Sequence, residues 1–190
     1  MVKTAKFFFI LIFLNSCSTF SSIGAIVGNA STSTRGFSAS VNDTFLMTKV
    51  ITKISSIQLR NFSNIKVSVS YGNVLLTGNV ESQKKRLELV KEVWRIKGVK
   101  NIYNEMNIGS SLSFPERADD LLFKTRLENR LLFKSGIYSN NYSIDVVNGN
   151  VYVMGTASSI EEKTNLENFL GEMKDIKKLV TIVSLPNKND

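Results

Sequence analysis

The chain has 190 residues, 43% of them hydrophobic, with two Pro, one Trp and one Cys. That apolar content supports one domain or two small ones and excludes wholesale disorder. Twenty-four Lys and Arg against sixteen Asp and Glu leave a formal charge of +8, and there is no His. The commonest general base and zinc ligand are therefore missing, and a lone Cys excludes an internal disulfide framework.

The N-terminus reads as an export segment. Lys3 and Lys6 precede the apolar run "FFFILIFL" (Phe7 to Leu14), which is too short to span a bilayer, since a spanning helix needs about 20 apolar residues. Leu14 stands three residues before Cys17, with small Ser16 between them. This pattern resembles a bacterial lipoprotein box, so residues 1–16 are expected to be a signal peptide. Cys17 is expected to become a lipidated N-terminus. Residues 17–41 are rich in Ser, Thr, Gly and Ala, a composition that buries too little apolar surface to offset its ordering entropy. They are expected to form a flexible tether reaching roughly 25–30 Å.

The rest of the chain repeats at a step of 77. "SYGNVLLTG" from Ser70 matches "VNGNVYVMG" from Val147. Asp43 matches Asp120, Thr48 matches Thr125, Ile54 matches Leu131 and Leu89 matches Leu166. Each copy predicts a helix, carrying Leu46, Val50, Ile54 and Ile57 in copy one. The strand "IKVSVS" follows, alternating as a half-buried strand does. Gly72-Asn73 and Asn148-Gly149 are expected to make tight hairpins that need positive φ. The returning strand is expected to end on Gly78 or Gly155, and a second helix starts after Ser82 or Ser159. A right-handed crossover then makes the third strand parallel to the second. The predicted fold is α+β: two αββαβ domains over 42–109 and 118–186, each a three-stranded mixed sheet with two helices on one face. Residues 110–117 form the linker and 187–190 a tail. Domains this small have marginal cores, so the two copies are expected to pack together. Trp94 is the expected plug between them, in preference to a membrane anchor.

The αββαβ unit, the "GNVxLxG" turn-strand, the "KGVKNIYNEM" ending and the duplication resemble BON domains. Copy two departs from the pattern with Asp175 in place of Gly98. With the lipoprotein box and the tether, the layout is similar to the dual-BON outer-membrane lipoproteins. This resemblance implies a palmitate-bearing, lipid-anchored protein at the outer membrane of a Gram-negative cell, facing the periplasm. It further implies binding of anionic phospholipid and a role in envelope integrity, with the second domain's first helix as the contact. Ser18, rather than the aspartate that retains many such proteins in the inner membrane, agrees with outer-membrane sorting.

No catalytic constellation is legible. Glu161 and Glu162 read as first-turn carboxylates complementing a helix dipole, and Asp119 and Asp120 as helix caps. Gly72, Gly78, Gly149 and Gly155 read as structural glycines of turns and strand ends. No enzyme activity, cofactor or metal is expected. Domain one is basic, with eleven Lys and Arg against five Asp and Glu over 42–109; over 110–190 the counts are ten against eleven. Export disfavours nucleic acid as the partner and leaves lipid headgroups.

The two first helices differ. Leu121, Leu122, Leu132 and Phe133 fall opposite the core positions Phe123, Leu127 and Leu131. Copy one places Thr44, Phe45, Ser55 and Ser56 there. With Lys124, Thr125, Arg126 and Asn129, this stripe is the expected membrane and phospholipid contact, flanked further by Arg130 and Lys134. Two alternatives stay open: the stripe packs against domain one or the linker, or it docks an envelope assembly factor, making the protein a periplasmic adaptor.

Overall fold

A computed structural model describes residues 37–57 and 64–186. The expected signal peptide, Cys17, the tether up to residue 36 and the tail 187–190 lie outside the described residues. The elements run α1 (Phe37–Ile57), β1 (Ile65–Ser70), β2 (Asn73–Val80), α2 (Gln83–Trp94) and β3 (Asn101–Ile108). The second half follows with α3 (Phe114–Leu132), β4 (Tyr142–Val147), β5 (Asn150–Thr156), α4 (Ile160–Gly171) and β6 (Lys178–Ser184), plus a 3-10 turn at Ser139–Asn141. Each half is αββαβ. Its first two strands pair antiparallel and its third pairs parallel to the second, as the crossover predicts.

Two helix starts differ from expectation. α1 begins at Phe37, inside the expected tether, and α3 begins at Phe114, inside the expected linker. Asp119 and Asp120 therefore do not cap α3. Ser113 does, in a capping box whose Ser113 N–H and hydroxyl donate to Glu116 at 2.7 and 2.6 Å, with Pro115 in the first turn. A Pro there leaves no donor unsatisfied, which is why the "SFPE" run starts a helix rather than a linker. Hydrogen bonds from Ser113 hold the Glu116 carboxyl below its ordinary value. The other two caps are as expected: the side chains of Ser82 and Ser159 accept from Lys85 N–H and Glu162 N–H.

Asp120 has a different task, shared with Asp43. In copy one the hairpin loop is Tyr71-Gly72, with φ of 51° and 78°, one residue earlier than Gly72-Asn73. Asn73 is already in β2, opposite Ser70. In copy two the loop is Asn148-Gly149, at 53° and 74°. Two consecutive positive φ values define the tight turn that suits strand twist. The buried Asp43 carboxylate accepts the N–H groups of Tyr71 and Gly72 at 2.7 and 3.0 Å. Asp120 accepts those of Asn148 and Gly149 at 2.7 and 3.0 Å. Charge-assisted bonds of this kind are about twice as strong as neutral ones. They lock each turn onto its first helix and let a tyrosine occupy a backbone region it ordinarily avoids.

Gly78 and Gly155 sit inside their strands rather than at the ends. A Cβ on Gly155 would stand 2.2 Å from the Asn141 carbonyl oxygen, and one on Gly78 1.8 Å from that of Asn64. At both positions the neighbouring backbone occupies the space a side chain would need.

Each sheet is covered on one face by its own helices. In the first half Leu46, Val50 and Ile54 of α1 and Leu89 and Val93 of α2 close over Val74 and Leu76. In the second, Leu127 and Leu131 of α3 and Leu166 and Leu170 of α4 close over Val151 and Val153. The opposite faces meet each other. Leu75, Val147, Tyr152 and Met154 form a separate apolar core between the sheets, joined by Leu112, Val180 and Ile182. The layers therefore run helices, sheet, sheet, helices, and the two halves pack together as expected.

The strand reading of "IKVSVS" needs one correction. Its polar side does not face solvent; it faces the other domain. Ser68 donates to Asp145 at 3.1 Å and lies 2.9 Å from the Ser143 hydroxyl. Lys66 Nζ donates to the Val146 carbonyl at 2.9 Å, and Lys178 pairs with Glu105 at 2.8 Å. Trp94 takes no part in this interface. It is 56% exposed, on α2, and its expected role as the plug is filled by Tyr152, which is buried.

Candidate membrane-contact site

α3 presents two unlike sides. Asp120, Leu127 and Leu131 are buried against the domain. At 100° per residue, Phe114, Leu121, Leu122, Thr125, Asn129, Leu132 and Phe133 fall on the other side. The five large apolar side chains among them are 58–85% exposed. Thr125 and Asn129 are exposed between them, and the Thr125 hydroxyl donates back to the Leu121 carbonyl at 2.9 Å. That bond removes its polarity from the stripe. Among the described residues, neither domain one nor the linker covers Leu122, Leu132 or Phe133. Leu121 is exposed too, but it also lines the rim of a cavity of ≈240 Å³ between the two domains, with Leu112 and Val147.

The basic side chains divide. Arg126, Arg130 and Lys134 recur every fourth residue down one flank. Arg126 lies 5.8 Å from the Phe123 ring centre, while Arg130 and Lys134 lie 5.6 and 5.1 Å from that of Phe169. Cation–π contacts of this kind hold the heads in a row without neutralising them. Lys124 is not part of that row. It is half-buried toward the sheet, 3.7 Å from Glu128 and 3.9 Å from Asp145.

The first domain offers no equivalent. Where the stripe has Leu121, Leu132 and Phe133, α1 has Thr44, Ser55 and Ser56. The hydroxyls of Ser55 and Ser56 donate to the Ile51 and Lys53 carbonyls at 2.6 and 2.7 Å. At these four positions the one large apolar residue is Phe45, matching Leu122, which is exposed with Lys49 Nζ 4.3 Å above its ring.

The buried acids are structural. Glu162 is not a solvated first-turn carboxylate; it is buried. It accepts from the backbone N–H groups of Tyr138 and Ser158, from the Tyr142 hydroxyl at 2.8 Å and from the Ser158 hydroxyl. Burial raises its pKa, and those four bonds together outweigh burial and leave it below the ordinary glutamate value. Burial first, and then Glu162, push the Tyr142 hydroxyl well above its usual range. Among the described residues no group of three or more acidic or Cys side chains could hold a metal ion, and no helix is long and apolar enough to cross a membrane.

The BON domain matches residues 42–110 and 119–183. The chain belongs to the BON-domain family. Among curated proteins, the chain is similar to the "Uncharacterized protein in gshII 5'region" of Anaplasma centrale. That relative is 37% identical over 125 residues, 65% of this chain and 83% of its own length. The outer membrane lipoprotein DolP of Haemophilus influenzae is 22% identical, over 84% of this chain and 82% of its own. The 21 kDa hemolysin of Actinobacillus pleuropneumoniae is 22% identical, over 79% and 77%.

Sequence reasoning missed Phe114, because the start of α3 was read as linker. The Asp43–Asp120 lock was visible as a matched pair in the 77-residue step, but its partners across the fold were not.

Proposed function

We propose that this BON-domain protein is a non-catalytic outer-membrane protein, anchored by lipid on Cys17 and facing the periplasm of a Gram-negative cell. Its second BON domain contacts anionic phospholipid through α3, and the protein serves envelope integrity. One observation carries the reading: the unburied stripe of Phe114, Leu121, Leu122 and Leu132 on a 19-residue helix, continued by Phe133 at its C-cap. An apolar strip edged by Arg126, Arg130 and Lys134 is the pattern of a helix lying in a headgroup layer. A lipid anchor on Cys17 would hold the protein at the surface, and such a helix adds a second, weaker contact. The likeness to an outer membrane lipoprotein supports the compartment. Three of the four buried acids, Asp43, Asp120 and Glu162, are each committed to backbone donors, which supports the non-catalytic reading. Flotation of an unlipidated 37–186 fragment with phosphatidylglycerol vesicles, against neutral vesicles, tests the contact. Failure to float with anionic lipid would leave the stripe to a protein partner, as in the adaptor reading.

A further inference from the structure

A second exposed apolar surface lies on domain one, where the sequence placed an inter-domain plug. Leu87, Val90, Lys91 and Trp94 of α2 form one wall of a shallow groove of ≈550 Å³, and Ile102 and Tyr103 of β3 form the other. Leu87 and Trp94 are 57% and 56% exposed. Among the described residues β3 is an edge strand, paired only with β2. A residue in a parallel strand sends its N–H and C=O to the same side, and successive residues alternate. Met106 identifies the free side: its N–H donates to Asn104 Oδ1 at 3.3 Å and its C=O accepts from Arg86 at 3.1 Å. Those side chains close the edge at Met106. By the alternation, Ile102 and Asn104 point the same way, and among the described residues nothing caps their backbone groups. An open strand edge beside an apolar groove is a template for an added strand.

The charge identifies the occupant. Lys91, which lines the groove, and the exposed Lys84 stand one turn either side of Leu87 on α2 and make no ion pair among the described residues. Glu88 and Glu92, on the opposite flank, are taken by Lys85, Arg95 and Lys53. The duplicated domain is an internal control. Stepping 77 residues on, Leu87, Val90, Lys91 and Trp94 become Thr164, Glu167, Asn168 and Gly171, and Glu167 accepts from Thr181 on β6 at 3.4 Å. The fold does not require the groove; only domain one has it.

We propose that the groove between α2 and β3 of the first BON domain binds an extended, acidic, apolar-alternating segment of a partner protein by adding it as a strand to β3. The apolar side chains would seat against Leu87 and Trp94, and the acidic ones would meet Lys84 and Lys91. This surface is separate from the α3 stripe, so its fate does not depend on that reading.

Trp94 is the sole tryptophan, so its fluorescence reports on this site alone. The full chain, reconstituted in neutral phosphatidylcholine vesicles, is titrated with an eight-residue peptide alternating Glu and Val. The expected result is a saturable blue shift that weakens with salt. A Lys/Val peptide should produce none. An N-methylated Glu/Val peptide, lacking backbone donors, should bind at least about tenfold more weakly. Leu87→Thr, which installs the domain-two residue at an exposed position, should weaken binding about tenfold, and Lys91→Glu should abolish it. The proposal is overturned if the Glu/Val peptide produces no shift, or if N-methylation leaves affinity unchanged. It is equally overturned if phosphatidylglycerol vesicles without peptide shift Trp94 as far as the peptide does, which would make the groove a lipid contact.

Discussion

Replacing Leu122 and Leu132 together with Asp separates surface contact from core. The side chains are 61% and 58% exposed, so each still has somewhat over half of its area to bury in a headgroup layer. Full burial of a leucine contributes about 1.5–3 kcal/mol, so each stands to contribute about 1–2 kcal/mol, and the pair about 2–4 kcal/mol. That corresponds to a loss of vesicle affinity of roughly 30-fold to several hundred-fold, before repulsion between the new carboxylates and anionic headgroups. The cost to the fold is small: about 1 kcal/mol from poorer helix propensity and a negative charge near the C-terminal end of α3. A melting temperature about 2–4 °C lower is expected. Leu127, one turn away and 1% exposed, gives the opposite result. Leu127→Asp buries an unpaired charge among Leu131, Val151 and Leu166. The cavity term alone is about 2–5 kcal/mol against a typical total of about 5–15 kcal/mol, so domain two should unfold. Flotation of the 37–186 fragment with phosphatidylglycerol vesicles measures binding, and circular dichroism melting measures the fold. Undiminished flotation of the double variant, or a collapse in its melting temperature comparable to that of Leu127→Asp, would show that the stripe is not a surface contact.

The other expectations address the anchor, a glycine and a carboxylate. Cys17→Ala should leave the fold intact but move the protein out of the membrane fraction or trap a precursor; incorporation of labelled fatty acid into that variant would contradict lipidation at Cys17. Gly155→Val should destabilise domain two by about 3 kcal/mol or more, because the Asn141 carbonyl oxygen occupies the Cβ space. Gly171→Ala, with nothing within 4 Å of its Cβ, should melt at or above wild type, and equal melting of the two variants would negate the close-approach argument. Glu162 has a folded pKa below its ordinary value of 4.5. Its ionised form therefore stabilises the fold fully above that pH, and the contribution is lost as pH falls through the depressed value. Glu162→Gln should thus melt below wild type at pH 7, with the gap narrowing below pH 4.5; a gap independent of pH would rule out the carboxylate as its source.

Local signals in the chain set the architecture within each half. The 77-residue step, the turn glycines Gly72 and Gly149, the serines ahead of α2 and α4 and the need for a right-handed crossover all act locally or over one crossover. They led directly to two αββαβ units. The exposed stripe of α3 was also legible, since helical periodicity separates Leu122 and Leu132 from Leu127 whatever surrounds them. What covers the second face of each sheet emerges from packing between the two halves. Alternation in "IKVSVS" distinguishes two faces but does not say that Lys66, Ser68 and Ser70 meet another sheet, because small polar side chains can be buried when partners such as Ser143 and Asp145 satisfy them. The same limit governs Trp94, Lys124 and Glu162. A tryptophan reads as core until the plug position is taken by Tyr152, and a lysine reads as solvated until Asp145 stands beside it. A first-turn glutamate reads as a dipole partner until Tyr138, Tyr142 and Ser158 converge on it. In each case the deciding neighbour is distant in sequence or on another element, and no local pattern encodes it.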